Sequence, residues 1–252
     1  MKILACFKIV CDFERITPAE LTALQEGSLN LSVFKRIFGS YDEAALENAR
    51  RLAEEIRKTE DCKLDAVTVG DCEPRFLKNL YALGFDEVFK VRGEKDAAAN
   101  ICRLAEDVGG YDMIFTGRQA WPNERGLTPY LIAKKLSLPC ISNVIDLTRT
   151  LSGVRVVSKT DYGAFTRTVT SPAVYSMGEA AHPYLHIATL REKLAAESKS
   201  VSEIDIAAAD MQVHTGEFLR FVYEHTEKQC RFIEGETDAQ KAHALWQEVF
   251  TK

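Results

Sequence analysis

The sequence predicts an α/β fold, a mostly parallel sheet flanked by helices, and three observations predict it. Short apolar runs such as Ile3–Phe7, Leu64–Val69 and Met113–Phe115 have the continuity of strands covered on both faces. Between them lie stretches with apolar residues at helical spacing, Ala45, Ala49, Leu52, Ala53 and Ile56 being the clearest set. Glycines mark the changes, at Gly70, Gly84, Gly109-Gly110 and Gly117. Strands separated by helices need crossover connections, and crossovers give parallel pairing.

Taken in order, Ile3–Phe7 is the first strand and Asp42–Lys58 the first long helix, with Ser40 and Glu43 spaced as a capping box. Leu64–Val69 is a strand, Pro74–Leu83 a helix stopped by Gly84, and Glu87–Val91 a strand. Asp96–Val108 is a helix, Met113–Phe115 a strand and Thr128–Leu136 a helix. The pattern then changes to Cys140–Leu147, Val154–Lys159, Phe165–Thr170 and Ala173–Met177, which read as antiparallel strands added to the sheet or placed beside it. After Pro183 the periodicity fades until Asp238–Phe250, where Ala242, Leu245, Trp246 and Val249 restore helical spacing. The expected division is therefore an α/β domain over 1–183 and an extended arm over 184–252. Exposed-looking apolar residues in the arm, Met211, Phe218, Phe221 and Val222, suit a surface that lies on another protein.

Composition narrows the function. The chain has 252 residues, 46% hydrophobic and 27% charged, which is ordinary for a globular protein. Its net charge of −5 argues against a nucleic-acid binder, which needs a basic face. No apolar run approaches the ~20 residues of a membrane span, and the N-terminus reads as a strand rather than a signal peptide. Seven cysteines, an odd number without a Cys-x-x-Cys pair, suit free thiols in a reducing cytoplasm.

In an open α/β sheet ligands bind beyond the carboxyl ends of the strands, where strand order reverses. The candidate edges are Phe7-Lys8-Ile9, Val69-Gly70-Asp71 and Gly117-Arg118-Gln119-Ala120. The loop from Gly117 to Thr128 carries Asn123 and Glu124 and opens a helix, whose amides suit a phosphate. A plain strand-to-helix connection would look much the same. Neither G-x-G-x-x-G, nor a P-loop, nor a G-x-S-x-G elbow occurs. His182 and His186 have zinc-ligand spacing, but Pro183 between them breaks the helix that spacing requires. No set of residues forms a self-sufficient catalyst.

Several of these stretches resemble the beta subunits of electron transfer flavoproteins. They are the opening MKILACFKIVCD, then FGSYDEAALENARRL, AVTVGDCEPRFLKNLYALGFDEVFKV, YDMIFTGRQAWPNERGLTPYLIAKKLSLPCIS, TSPAVYSM and RFIEGETDAQKAHALWQEV. The resemblance implies an adenine-nucleotide-binding α/β fold of Rossmann-like kind and a heterodimer with an alpha subunit. It implies an electron-carrying FAD shared with that subunit, held mostly there, and AMP or a second FAD on this one. Carried over residue by residue, the nucleotide site comprises Cys6, Gly39, Ser40, Tyr41, Asp42, Val69, Gly117, Arg118, Gln119, Ala120, Asn123, Glu124, Gly126, Leu127 and Thr128.

The chain departs from the family pattern at several points. The family's aspartate run and Gln-Thr-Gly are replaced by Trp121 to Thr128, and its Asn-Pro turn by Gly39-Ser40. The basic stretch after its recognition loop becomes Leu194 to Lys199. This makes the chain a divergent member. The recognition loop, through which such subunits dock on partner dehydrogenases, falls at Pro183–Ala188, with Leu185 and Ile187 as partner-binding residues. On spacing alone those two could equally form one face of a buried edge strand. A stand-alone adenine-nucleotide-binding regulatory module of the same fold is the alternative to an electron-transfer subunit.

Overall fold

The computed structural model describes residues 1–12, 16–25, 34–92, 96–121, 124–170, 172–205 and 232–250. The first half of the chain forms β1 (Lys2–Cys6), β2 (Ile9–Cys11), α1 (Pro18–Gln25), β3 (Arg36–Phe38), α2 (Ser40–Arg57) and β4 (Lys63–Val69). Next come α3 (Pro74–Ala82), β5 (Glu87–Arg92), α4 (Ala97–Asp107), β6 (Met113–Gly117) and α5 (Thr128–Leu136). The remainder forms β7 (Cys140–Thr150), β8 (Gly153–Thr160), β9 (Gly163–Val169), β10 (Ala173–Met177), α6 (Leu190–Ala196), β11 (Ser202–Asp205) and α7 (Asp238–Phe250).

A nine-stranded sheet runs in the order β11-β5-β4-β1-β6-β10-β7-β8-β9, and β2 and β3 form a separate antiparallel pair. Alternation along the strands explains why both faces are covered. Ile3, Ala5, Leu64, Ala66, Met113, Phe115 and Tyr175 join the core that holds α2 and α3. Their neighbours Leu4, Cys6, Val67, Ile114 and Val174 join the core that holds α4 and α5. The strands therefore read as largely apolar runs, and the expected α/β class is what the chain adopts.

Two local expectations are corrected. Ala173–Met177 is not antiparallel: β10 slots between β6 and β7 and pairs parallel with both, while β8 runs antiparallel to β7 and to β9. The capping box at Ser40 does not form. Ser40 is the first helical residue, Gly39 takes the cap position, and no side chain caps α2. The chain beyond Pro183 also keeps close to the sheet at first. Helix α6 packs on α3, β11 pairs parallel with β5 at the sheet edge, and Leu185, Ala188 and Ala196 are buried. Residues 184–205 thus pack on the α/β body, past the boundary expected at 183.

Helices α1 and α7 belong to a second compact unit. Each is started by a side chain: Glu20 N–H donates to Thr17 Oγ1 at 3.3 Å, and Gln240 N–H to Thr237 Oγ1 at 3.3 Å. Leu245, Trp246 and Val249 on α7 are exposed. Met211, Phe218, Phe221 and Val222 lie outside the described residues, as does Asn123. Among the described residues no helix is long and apolar enough to cross a membrane.

Candidate functional site

After β1 the chain builds outward on one side through β4 and β5, then crosses back to place β6 on the other side of β1. The strand order therefore reverses between β1 and β6, and loops leaving those two strands diverge and open a crevice. A cleft of about 460 Å³ lies there, within the size range of small-molecule sites. Its floor is the strand ends Cys6, Phe7, Val69, Thr116 and Gly117. Its walls come from Lys8, Asp42, the loop residues Arg118, Gln119, Ala120, Arg125, Gly126 and Leu127, and the heads of two helices. Asp96, Ala97, Ala98 and Ile101 belong to the α4 end, and Thr128, Pro129 and Leu131 to α5.

Asp42 clasps the two strand ends. Its Oδ2 accepts from Lys8 N–H and its Oδ1 from Gly117 N–H, each at 3.1 Å, so one carboxylate in the first turn of α2 bridges the chain leaving β1 and the end of β6. The fit dictates two glycines. A Cβ at Gly117 would lie 2.8 Å from Asp42 N and would also collide with Asp42 Oδ1, and a Cβ at Gly39 would lie 2.7 Å from Asp42 Oδ2. Burial pushes the Asp42 carboxyl up to about 7, against the opposing pull of the two N–H donors and the Lys8 charge.

Cations surround the loop. Lys8 Nζ donates to Trp121 O at 3.0 Å, tying the turn after β1 to the loop after β6. The guanidinium of Arg118 sits 5.0 Å from the centre of the Tyr41 ring, and its backbone N–H donates to Met177 O at 2.8 Å. Glu124, at φ 43°, closes the loop by donating its N–H to Ala120 O at 3.0 Å. Gly126 has φ +63°, and a Cβ there would sit 3.1 Å from Arg118 O. No side chain caps α5, which leaves the N–H groups of Thr128 and Tyr130 in its first turn open to an anion, while Pro129 between them carries none. Thr116, 3% exposed, also lines the cleft, and its Oγ1 has no hydrogen-bond partner.

Of the residues singled out from sequence, Cys6, Asp42, Val69, Gly117, Arg118, Gln119, Ala120, Gly126, Leu127 and Thr128 line this one cleft. Gly39, Ser40, Tyr41 and Glu124 do not line it. Thr116, Asp96, Ile101 and Leu131 line it but were not singled out. The only sequence signal for Thr116 is a polar residue ending an otherwise apolar strand, Met113-Ile114-Phe115-Thr116.

The two proposed partner-binding residues are separated by the structure. Asn48 Nδ2 donates to His182 O at 2.9 Å, Leu185 N–H to Glu43 Oε1 at 3.2 Å and His186 N–H to Glu47 Oε2 at 3.0 Å. Helix α2 thereby pins the loop, turning Leu185 into the core at 8% exposure and Ile187 out to solvent at 82%. Leu185 packs, and only Ile187 of the pair offers surface. A separate groove of about 550 Å³ between α3 and α6 is lined by Phe38, Arg75, Phe76, Lys78, Asn79, Lys193, Leu194 and Glu197. Among the described residues no three His, Cys, Asp or Glu side chains cluster to hold a metal.

Comparison with known proteins bears on what such a cleft serves. The YgcR chain of Escherichia coli (strain K12), provisionally named an electron transfer flavoprotein subunit, is 25% identical over 257 residues, spanning 98% of this chain and 97% of that one. The acryloyl-CoA reductase electron transfer subunit gamma of Anaerotignum propionicum is 26% identical over 152 residues, 56% of this chain and 54% of that one. The sequence profile of the electron transfer flavoprotein domain matches residues 35–209, which include α2, β6, the loop after it and the pinned loop on α2. With that match, and an α/β sheet whose cleft opens at the reversal of strand order, the chain belongs to the electron transfer flavoprotein domain family, as a divergent member.

Proposed function

We propose that this chain is the beta-type subunit of a heterodimeric electron transfer flavoprotein. In this reading it holds an adenine nucleotide, AMP or a second FAD, in the cleft between β1 and β6, and shares an electron-carrying FAD with an alpha-type partner. The observation that carries the proposal is the cleft's construction. Open amides at the start of α5, the cations Lys8, Arg118 and Arg125, and an unpartnered buried hydroxyl suit a ligand that is anionic at one end and hydrogen-bonding elsewhere. The residues present thus fit a nucleotide. A flavin, when bound, supplies the electron-carrying chemistry; the chain's own groups bind, orient and exclude water. Residues 206–252 would carry the contact to the partner subunit, and Ile187 on the pinned loop the contact to a redox partner dehydrogenase.

Coexpression with an alpha-type subunit encoded beside this one tests the reading. The expected product is a yellow heterodimer with a flavin absorbance spectrum, from which acid releases an adenine nucleotide in addition to the shared FAD. A colourless protein that purifies alone with nucleotide bound would favour the stand-alone regulatory module instead. Removal of residues 206–252 is expected to abolish the heterodimer while leaving the α/β body folded, as read by circular dichroism.

A further inference from the structure

We propose that the hydroxyl of Thr116 is a specificity-determining contact of the cleft, hydrogen-bonding the nucleoside part of the ligand rather than its phosphate. The inference rests on the nucleotide reading above and deepens it. Thr116, the residue before the last of β6, lies on the face that Ile114 shares with α4 and α5, since alternate strand residues point the same way. That is the face on which the heads of those helices wall the cleft, and Thr116 lines it. Its side chain is 3% exposed, and Oγ1 is the one buried side-chain atom of the lining, among the described residues, without a hydrogen-bond partner.

A buried hydroxyl left unpaired costs free energy, and valine would fill the same space in a strand without that cost. The hydroxyl becomes favourable when something entering the cleft bonds to it. On the face that Thr116 shares with Ile114 the lining contains Cys6, Val69 and Ile101, which pack in the same apolar cluster as Ile114, and in such surroundings an uncharged hydrogen-bonding atom is accepted more readily than a phosphate oxygen. The phosphate has better hosts in the open amides of α5 and the cations of the 118–125 loop. The class of group assigned to Thr116 is therefore a ring nitrogen or amine of the base, or a ribose hydroxyl.

Calorimetric titration of the full chain with AMP and with adenosine tests this, in the natural protein, Thr116→Val and Thr116→Ser, with melting temperatures alongside. Thr116→Val is expected to weaken both ligands by about tenfold, ~1.4 kcal/mol, while its melting temperature stays level or rises. Thr116→Ser, which keeps the hydroxyl, is expected to restore affinity even though the lost methyl lowers its melting temperature. Unchanged affinity in Thr116→Val overturns the proposal and leaves the nucleotide reading standing, the hydroxyl then being served by water. Weakening of AMP but not of adenosine overturns the assignment to the nucleoside part. Binding of neither ligand to any of the three proteins overturns the nucleotide reading and this proposal with it.

Discussion

Helix α2 places two buried carboxylates in two different settings, and their contrast explains how one element serves two regions. Asp42 faces the cleft and Glu47 holds the loop carrying Ile187; their residues are 7% and 4% exposed. Asp42 accepts only backbone N–H groups, and burial dominates, pushing it up to about 7. Burial also pushes on Glu47, but two hydrogen bonds from Arg50, the His186 N–H and the charges of Arg50 and Arg51 outweigh it and hold the carboxyl below its ordinary range. A carboxylate hydrogen-bonded only by backbone N–H groups stays costly to ionise even with the Lys8 charge acting on it; one hydrogen-bonded by a guanidinium does not. The cleft is consequently built from backbone and sensitive to added volume, whereas the loop is built from side chains and sensitive to lost charge.

The volume sensitivity predicts the largest effect. Gly117→Ala puts a Cβ 2.8 Å from Asp42 N and 2.9 Å from Tyr41 C, atoms of the α2 backbone that cannot swing aside. The expected loss is about 3 kcal/mol of stability, read by denaturant unfolding, together with loss of bound nucleotide. An alanine variant as stable as the natural protein would mean the clasp is loose, and the contrast with the loop would disappear.

The charge difference predicts opposite responses to pH. Asp42 binds its proton more tightly folded than unfolded, so its contribution to stability falls as pH rises from about 4, its unfolded value, to about 7 and is flat above that. Glu47 has the reverse sign. Its ionised form stabilises the fold above its unfolded value, and that contribution is lost as pH falls through its lowered folded value. Asp42→Asn is therefore expected to flatten that decline between pH 4 and 7. Glu47→Gln is expected to lower stability at neutral pH and to shrink the loss in acid. Urea melts across that range check both; parallel profiles for the two variants would show that the settings do not differ as described.

Much of this was legible in the sequence because it is local. The bounds of α5 and α7 and the β1, β4 and β6 runs follow from period and flanking residues. The strand ends pointed to the cleft because glycines mark them. What was not legible depends on partners distant in the chain. Nothing in Ala173–Met177 says that it slots between β6 and β7, since strand composition does not encode which neighbour it meets or in which direction. Strand β11 is hidden because three of its four residues, Ser202, Glu203 and Asp205, are polar, and because it lies at an edge, where β5 alone pairs with it among the described residues. The Ser40 capping box does not form because the helix starts one residue earlier than that spacing requires, with Gly39 at the cap position and Ser40 already helical. Likewise the burial of Leu185 and exposure of Ile187 come from Glu43, Glu47 and Asn48, residues far away in sequence that fix the loop's rotation.

That rotation gives the smallest expected effect on stability and the sharpest separation of the two regions in function. Ile187 is 82% exposed, so truncating it removes little buried surface, and Ile187→Ala is expected to change stability by less than about 0.5 kcal/mol. If the pinned loop docks a redox partner, its exposed apolar side chain is the natural anchor, and a transient interface concentrates its energy in such residues. Steady-state electron transfer with a partner dehydrogenase should then show a KM raised by about tenfold, or ~1.4 kcal/mol, with nucleotide content untouched. Leu185→Ala is the control: at 8% exposure it should cost about 3 kcal/mol of stability while leaving the chemistry of the surviving folded protein intact. An Ile187→Ala variant that melts early, or one that transfers electrons with unchanged KM, would remove the loop from docking and leave α2 with a single functional end.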